Sequence, residues 1–584
     1  MSDAPDPSDT HLPQTETPDP SDTYLPQTET PDPVGAFPRL SDEQVDVLLE
    51  RGRRRRLAKG EVLIRPGDHP SSLYVVLDGY LLTTDTEPAD DPRPADEPST
   101  VGVHGRGRFV GDVGLLEGQP SFEFVSAIDA AEVAEIPVEE LEAIVTSDPL
   151  LGEIILRAYL IRRSLAIGVG AGLRVVGSCF SPQTRELLDF VARNRLPHRL
   201  VDLDKDEKAE QLVRRLGATV ADFPLVILGG ARTVLAATPA RLAAELGMRP
   251  PAPPTTCDVV VVGAGPAGLA SAVYATSDGL SVYLCDSVAT GGQAGTSARI
   301  ENYLGFPAGI SGAELADRSV LQVRKFGATL EIPATVMEIV EDDDRLRVVF
   351  DDGREVTSEV VVLATGVRYR SLSAAGLDRF QTSNVFYAAT AQEARVCGDA
   401  PVAVVGGGNS AGQAALFLAR TSSRVYLVVR AAELEAGMSR YLVDQIQNHP
   451  RIEVLLSSEV VDADGDGRLE RITVRSAHGE LRELEVGYVF VFIGAVPATD
   501  RLTVGVQRDA DGYILTGSDA ELAGFHSSGS ARFSLETTVP GIFAVGDVRH
   551  GSVKRMTSAV GEGASAVGQI HEYLSKGRHN RVGA

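Results

Sequence analysis

Apolar residues are distributed along this chain in four different ways. Residues 1–36 contain almost none of large size. From 40 to about 168, short alternating runs are broken by glycine: GEVLIRPGD, SLYVVLDGYLLT, GRFVGDVGLL and FEFVSAIDAAEVAEIP. A short helix is predicted before them, over 42–50, and helical sequence follows from 138 to about 166. Short strands at that spacing predict a small β-barrel or jelly roll. Residues 173–246 read β-α-β-α-β-β-α, with strands in VVGSCFSPQT, LPHRLVDLD and DFPLVILGG. From 257 onward, buried-looking strands at 259–262, 281–284, 360–363, 402–405 and 425–429 stand among glycine turns and apolar helical stretches, a pattern of α/β sheets.

The polar stretches divide the chain. PDPSDTHLPQTET begins at Pro5 and PDPSDTYLPQTET at Pro18, differing only at His11 and Tyr24. Such a composition cannot bury enough surface to offset ordering entropy, so residues 1–36 are expected to form a disordered repeat tail. An Asp/Pro-rich stretch at 86–100 reads as an exposed loop inside the barrel, and RPPAPPTT at 249–256 as a linker.

Residues 257–286 carry the chain's most informative motif. A strand runs into Gly263-x-Gly265-x-x-Gly268, then an Ala-rich helix with Pro266 and Ala267 in its first turn, then a second strand ending on Asp286. Gly263 permits the tight turn, Gly265 admits a pyrophosphate to the backbone, and Gly268 lets helix and strand pack closely. The Asp286 carboxylate is placed to bond a ribose. A second βαβ unit follows at 402–429, with Gly406, Gly407, Gly408, Asn409, Ser410 and Ala411 at its turn. Its second strand ends on Arg430 with no acid beside it, which suits the 2′-phosphate of NADP better than the bare ribose of NAD.

Composition narrows the choices. At 584 residues, with 43% hydrophobic and 23% charged positions, the chain is read as a globular protein of several domains. A net charge of −26 argues against nucleic acid, and the run RGRRRR at 51–56 reads as a solvated helix end balanced by nearby acids. Cys179, Cys257, Cys285 and Cys397 have no metal-ligand or disulfide spacing, so no metal is expected. Without a signal sequence or a long apolar run, a cytoplasmic protein with no membrane partner is the expectation.

Three family resemblances emerge from these motifs. Gly60-Glu61, Pro66-Gly67-Asp68, Gly79 and Phe109-Val110-Gly111-Asp112 resemble a cyclic-nucleotide-binding domain. The arginine that such domains give to the cyclic phosphate would fall near Ser121, beside Glu123, so a cyclic nucleotide is not expected to bind. The next module resembles a thioredoxin or glutaredoxin, with Pro224 at the family's cis-proline. Its Cys-Pro-x-Cys aligns with Ser181-Pro182-Gln183-Thr184, so both redox cysteines are replaced.

The rest, from about 258 to 574, resembles thioredoxin reductase and its low-molecular-weight relatives. The resemblance implies an FAD site formed by the first fingerprint, Gly292, Gln293, Asn302, Thr365, Gly366, Gly546 and Asp547. Where that family shows Arg-Gln-Ala at the last helix, this chain has Arg555-Met556-Thr557. NADPH is expected at Gly406, Gly408, Asn409, Ser410, Ala411 and Arg430. The family's Cys-Ala-Thr-Cys is replaced by Ala388-Ala389-Thr390-Ala391, so no catalytic residue is identified.

The expected fold is multidomain: a jelly-roll barrel with helices over 38–168, a thioredoxin-like α/β module over 172–248, and two Rossmann-type α/β domains. FAD would occupy the first of these, 257–371 with 498–576, and NAD(P)H the second, 372–497. The resemblance implies an NADPH oxidoreductase that passes hydride to FAD and then electrons to an unidentified acceptor, and it implies a homodimer. Two alternatives stay open: a thioredoxin-reductase-like ferredoxin–NADP reductase, and a redox or nucleotide sensor signalling through the N-terminal modules.

Overall fold

The structure, a computed structural model, describes residues 29–32, 34–69, 71–84, 100–111, 115, 120–169, 172–229, 232–250, 254–297, 300–342, 345–370, 372–380, 384–387, 389, 391–466, 468–500, 503–522 and 533–582. Most of the repeat tail and of the Asp/Pro-rich loop falls outside them. The last residues of the expected tail are not tail. The Thr30 N–H bonds the Val103 carbonyl, the Val103 N–H bonds Thr30 Oγ1, and Ala36 is buried.

The first of two compact units opens with helix α1 (Asp42–Arg51), capped by a reciprocal Ser41/Gln44 box. Strands β1 (Arg53–Leu57), β2 (Val62–Ile64), β3 (Ser72–Asp78), β4 (Leu81–Thr84), β5 (Thr100–His104), β6 (Phe109–Val110), β7 (Phe124–Ala127) and β8 (Ala131–Pro137) follow. They form two antiparallel sheets, ordered β1-β8-β3-β6 and β2-β7-β4-β5. Leu57, Val76 and Val133 of one sheet and Ile64, Leu81 and Val125 of the other share a single core. Helix α2 (Val138–Ser147) follows, and the unit runs on into the next helix as far as Ala158. Only Arg51 of the arginine run ends a helix; Arg53–Arg56 lie in β1, where Arg53, Arg54 and Arg55 pair with Glu135, Glu132 and Glu61 as the expected nearby acids. The arginine heads face solvent, so these pairs are screened by salt and are weak contributors to stability.

From Tyr159, within α3 (Pro149–Val169), the chain belongs to the second unit. Its first layer holds β9 (Leu173–Gly177), α4 (Pro182–Arg193), β10 (His198–Asp202), α5 (Glu207–Leu216), β11 (Leu225–Gly229), β12 (Arg232–Val234) and α6 (Pro239–Glu245). The sheet order is β10-β9-β11-β12, with β10 parallel to β9 and the other two pairings antiparallel. The Phe223–Pro224 peptide is cis.

The larger α/β body starts with β13 (Thr256–Val262), α7 (Pro266–Ser277), β14 (Val282–Cys285), α8 (Gly312–Lys325) and β15 (Thr329–Glu331). Three antiparallel strands follow, β16 (Val336–Asp342), β17 (Arg345–Phe350) and β18 (Glu355–Leu363). The sheet runs β15-β14-β13-β18-β17-β16, and the second half of β18 also pairs with a late strand described below. The unbroken valines of β13 are explained by burial on both faces: Val259 and Val261 enter one core, Val260 and Val262 the other. Each is worth about 1.5–3 kcal/mol of burial.

The chain crosses to the second nucleotide domain through β19 (Val367–Tyr369) and continues with β20 (Val385–Phe386), α9 (Ala391–Cys397), β21 (Val402–Val405), α10 (Asn409–Leu418), β22 (Val425–Val428), α11 (Arg440–Gln447) and β23 (Ile452–Leu455). An antiparallel flap of β24 (Ser458–Asp464), β25 (Arg471–Ser476) and β26 (Leu481–Glu485) precedes β27 (Tyr488–Val491). The parallel sheet is ordered β20-β27-β21-β22-β23. The chain returns through β28 (Ala495–Pro497), antiparallel to β19, then α12 (Gly517–Leu522) and β29 (Ile542–Ala544), which pairs with β18. Helix α13 (Met556–Val582) closes the first nucleotide domain by packing on α7.

Candidate functional site

Each glycine of the first fingerprint has its own geometric reason. Gly263 has φ +108, and a Cβ there would lie 2.3 Å from the Ala364 carbonyl oxygen. A Cβ on Gly268 would lie 1.8 Å from the Gly263 oxygen, so α7 touches the turn backbone directly. Gly265 is the N-cap of α7, and a Cβ there would meet nothing nearer than Gly292 Cα at 3.8 Å. That open space lies at a helix N-terminus with Pro266 and Ala267 in its first turn. Unpaired N–H groups and the helix dipole favour an anion there.

Asp286 acts first as a clamp. Its carboxylate accepts the N–H groups of Ala264 at 2.8 Å, Val288 at 2.8 Å and Ala289 at 3.1 Å, tying the turn to the loop that carries Gly292 and Gln293. Burial nevertheless holds its pKa above the ordinary carboxylate value. Oδ1 is filled by two N–H groups, while Oδ2, with one, retains acceptor capacity for a ribose.

Two buried polar atoms wait for partners beside this loop. Gln293 donates its amide to the Val367 carbonyl, but its Oε1 has no partner, and neither has Thr365 Oγ1 in the turn after β18. Leaving such atoms unsatisfied costs about 1–3 kcal/mol each, so a polar ligand fits here. Gly366 follows with φ +66, while Asn302 is exposed. On the other side, Gly546 has φ +73 and a Cβ there would sit 2.9 Å from Ala267 Cβ. Burial raises the pKa of Asp547 next to it. Arg555 and Thr557 are exposed, and Met556 lines an approximately 250 Å³ cavity with Pro266, Gly291 and Tyr303.

Two residues that the sequence reading passed over hold this corner together. Glu562 of α13 accepts the Gly546 N–H at 2.7 Å and pairs with Arg549 at 2.6 Å. Lys554 Nζ bonds the Asp547 carbonyl and lies 4.2 Å from the Tyr513 ring centroid. An acid inside the Gly/Ala-rich start of α13 was the available signal for Glu562.

The second fingerprint repeats the geometry. Gly406 has φ +145, and a Cβ there would lie 2.2 Å from the Phe492 oxygen. Gly408 caps α10 with open space before it, Asn409 Oδ1 accepts the Ser439 N–H at 2.7 Å, and Ala411 is fully buried. Ser410 and Arg430 are exposed. Ser410 lines a cavity of about 90 Å³ with Gln413, Phe417, Ala389 and Glu301.

No thiol in this arrangement is primed for electron transfer. Ala388 lies outside the described residues, and Ala391 opens α9. Burial pushes the Cys257 and Cys397 thiols up to about 12 and Cys285 well above its ordinary value. Cys179 is raised to about 11 by burial and by Asp202. Its thiol, Asp202 and Asp204 have ligand atoms within 4.8 Å of one another. Ser181 caps α4, and Thr184 is fully buried.

Two dinucleotide cradles on paired α/β domains, one inserted into the other, define a two-nucleotide oxidoreductase. The chain belongs to the pyridine nucleotide-disulphide oxidoreductase family, whose sequence profile matches residues 257–563. It is an enzyme, and its cofactors are FAD and NADPH. It is 32% identical to the thioredoxin reductase of Debaryomyces hansenii over 55% of this chain and 98% of that protein. Mitochondrial thioredoxin reductase 1 of Arabidopsis thaliana is also 32% identical, over 54% of this chain and 83% of the relative. The crystal structure of Lactococcus lactis thioredoxin reductase superposes with a TM-score of 0.50 at 27% identity, covering 55% of this chain and 99% of the other. Residues 54–148 match the cyclic nucleotide-binding domain profile. Among the described residues no helix is long and apolar enough to cross a membrane.

Proposed function

We propose that this enzyme oxidises NADPH through FAD and delivers the electrons to an external acceptor without an internal dithiol. The observation that carries the reading is the coexistence of two glycine cradles with alanine at both expected cysteine positions, Ala388 and Ala391. FAD would supply the redox chemistry between NADPH and the acceptor. The α7 N-terminus at Gly265 receives the FAD pyrophosphate, Gln293 and Thr365 bond FAD through their unpartnered oxygens, and Asp547 bonds the ribityl chain. Ser410 and the α10 N-terminus receive the NADPH pyrophosphate, and Arg430 its 2′-phosphate.

The module of β9–β12 is read as thioredoxin-like, because its strand order and mixed pairing are those of that fold. The first unit's paired sheets are read as a jelly roll. Both then serve the flavin half without chemistry of their own, which favours a sensor as the second reading. A homodimer remains the proposed assembly.

Anaerobic NADPH added to the FAD-loaded protein should bleach the flavin within seconds, and a flavin that stays oxidised defeats the proposal. Turnover with quinones, dioxygen, cytochrome with and without ferredoxin, or a disulfide dye then identifies the acceptor class. Restoring the dithiol with Ala388→Cys plus Ala391→Cys should raise disulfide-dye reduction above that of the natural chain.

A further inference from the structure

We infer that the α/β module of β9–β12 is a fixed brace of the FAD-binding loop, with Asn194 and Arg195 acting as positioning residues for the flavin. The inference rests on the assignment of loop 286–293 to FAD. Asn194 closes α4 and is almost fully buried. Its amide donates to the Phe190 carbonyl and, at the same 2.9 Å, to the Val288 carbonyl. The Val288 N–H is already held by Asp286. One residue of the loop is therefore gripped on both sides, by the FAD domain through its N–H and by the module through its carbonyl.

Arg195 adds a second grip. Its Nη2 donates to Thr290 Oγ1 at 3.1 Å, and the guanidinium meets Asp317 Oδ1 at 2.5 Å through Nη2 and 2.7 Å through Nε. Both side chains are close to fully buried. Asp317 lies on α8, and a Cβ on Gly291 would lie 2.7 Å from Ala316 Cβ, so that helix is itself in contact with the loop. Arg163 of α3 donates to the Asn194 carbonyl and stands 4.0 Å from Asp317. Arg195 adopts φ +53, a strained conformation for a non-glycine residue that persists where the surroundings over-determine it.

The far end of the module is fastened too. Arg249 donates to the Pro333 carbonyl at 3.1 Å and lies 3.8 Å from the fully buried Glu331, which also binds Tyr283 and Arg354. A redox carrier that must swing between sites would gain nothing from charge pairs buried this way, since breaking them exposes an uncompensated buried charge. The replaced dithiol positions, Ser181 and Thr184, sit at the N-terminal end of α4, and the brace sits at its C-terminal end. The helix spans about 18 Å, so the module keeps a function at one end after losing the chemistry of the other.

The test is FAD titration of the full-length apoprotein, followed by flavin fluorescence and by the visible circular dichroism of the bound flavin. Arg195→Leu should weaken FAD binding at least about tenfold and alter the dichroism, because the charge-assisted bond to Thr290 of the loop and the pair with Asp317 of α8 are lost. Arg195→Lys should restore affinity to within about threefold by keeping the charge opposite Asp317. If Arg195→Leu does not fold, Asp317→Asn breaks the same pair from the flavin side and is held to the same outcome. Unchanged FAD affinity and dichroism in a folded variant would overturn the inference, even with a lowered melting temperature. Failure of the natural chain itself to bind FAD would overturn the FAD assignment instead.

Discussion

The two glycine fingerprints solve one steric problem with different degrees of enclosure. At Gly263 and Gly406 the backbone takes positive φ, and a carbonyl oxygen blocks any Cβ at 2.3 Å and 2.2 Å. The third position separates them. Gly268 has no room for a methyl, because α7 is pressed against its turn while α13 crosses it, and a Cβ on Gly563 would come within 2.3 Å of the Ala267 oxygen. Ala411 has its methyl accommodated in the core of the second domain. The exits differ as well: Asp286 is bound into its own loop, whereas Arg430 stands exposed. The first cradle is the more enclosed of the two.

The sharpest way to break this comparison is at the third position. Gly268→Val should yield colourless protein with less than about a tenth of normal flavin content, since the collision is with backbone. Ala411→Gly should leave flavin content and NADPH affinity within about threefold, costing chiefly helix propensity of about 1 kcal/mol. Visible absorbance of the purified proteins decides; a yellow Gly268→Val would remove the distinction.

Next comes nucleotide choice. Arg430→Ala should raise the NADPH concentration for half-maximal flavin reduction about tenfold while leaving NADH unchanged, as loss of one charge-assisted phosphate contact implies. Equal shifts for both nucleotides in stopped-flow reduction would move the 2′-phosphate elsewhere. A smaller effect is expected at the clamp: Asp286→Asn keeps one acceptor oxygen and should weaken FAD binding about three- to tenfold by titration.

The smallest effect concerns thiols. With its pKa raised to about 11, Cys179 is almost wholly protonated at pH 8. Alkylation should therefore run about a hundredfold slower than for a free cysteine, rising about tenfold per pH unit until it levels near pH 11. Cys179→Ser should change NADPH-driven flavin reduction less than twofold. A larger change would place a thiol on the electron path.

Both fingerprints were legible because their pattern is local: glycine, strand and helix lie within thirty residues, although the carbonyls that exclude a side chain at Gly263 and Gly406 come from Ala364 and Phe492, far along the chain. The alternation in 173–246 likewise predicted its element order, which α4, β10 and the β11–β12 pair follow. What pattern could not supply was pairing across the chain. Residues 53–56 of the arginine run became part of β1 because β8 pairs with it and offers acids, about eighty residues later. Residues 29–36 read as tail, yet Thr30 finds open backbone groups on β5. Asp286 serves its own loop before any ribose, and Glu562, Asn194 and Arg195 matter only through partners far away in sequence. A periodicity argument sees none of these.

The insertion of one nucleotide domain within the other has a consequence for synthesis. Val361 of β18 pairs with Ile542 of β29, and α13 docks on α7 only after that. On a ribosome that releases the chain from its N-terminus, the second cradle is complete while the first still lacks a strand and its covering helix. Closing so long a loop costs little more entropy than closing a short one, but it must wait for β29 and α13 to emerge. Flavin capture thus depends on β29 and α13, so a chain that stops short of them is expected to stay colourless.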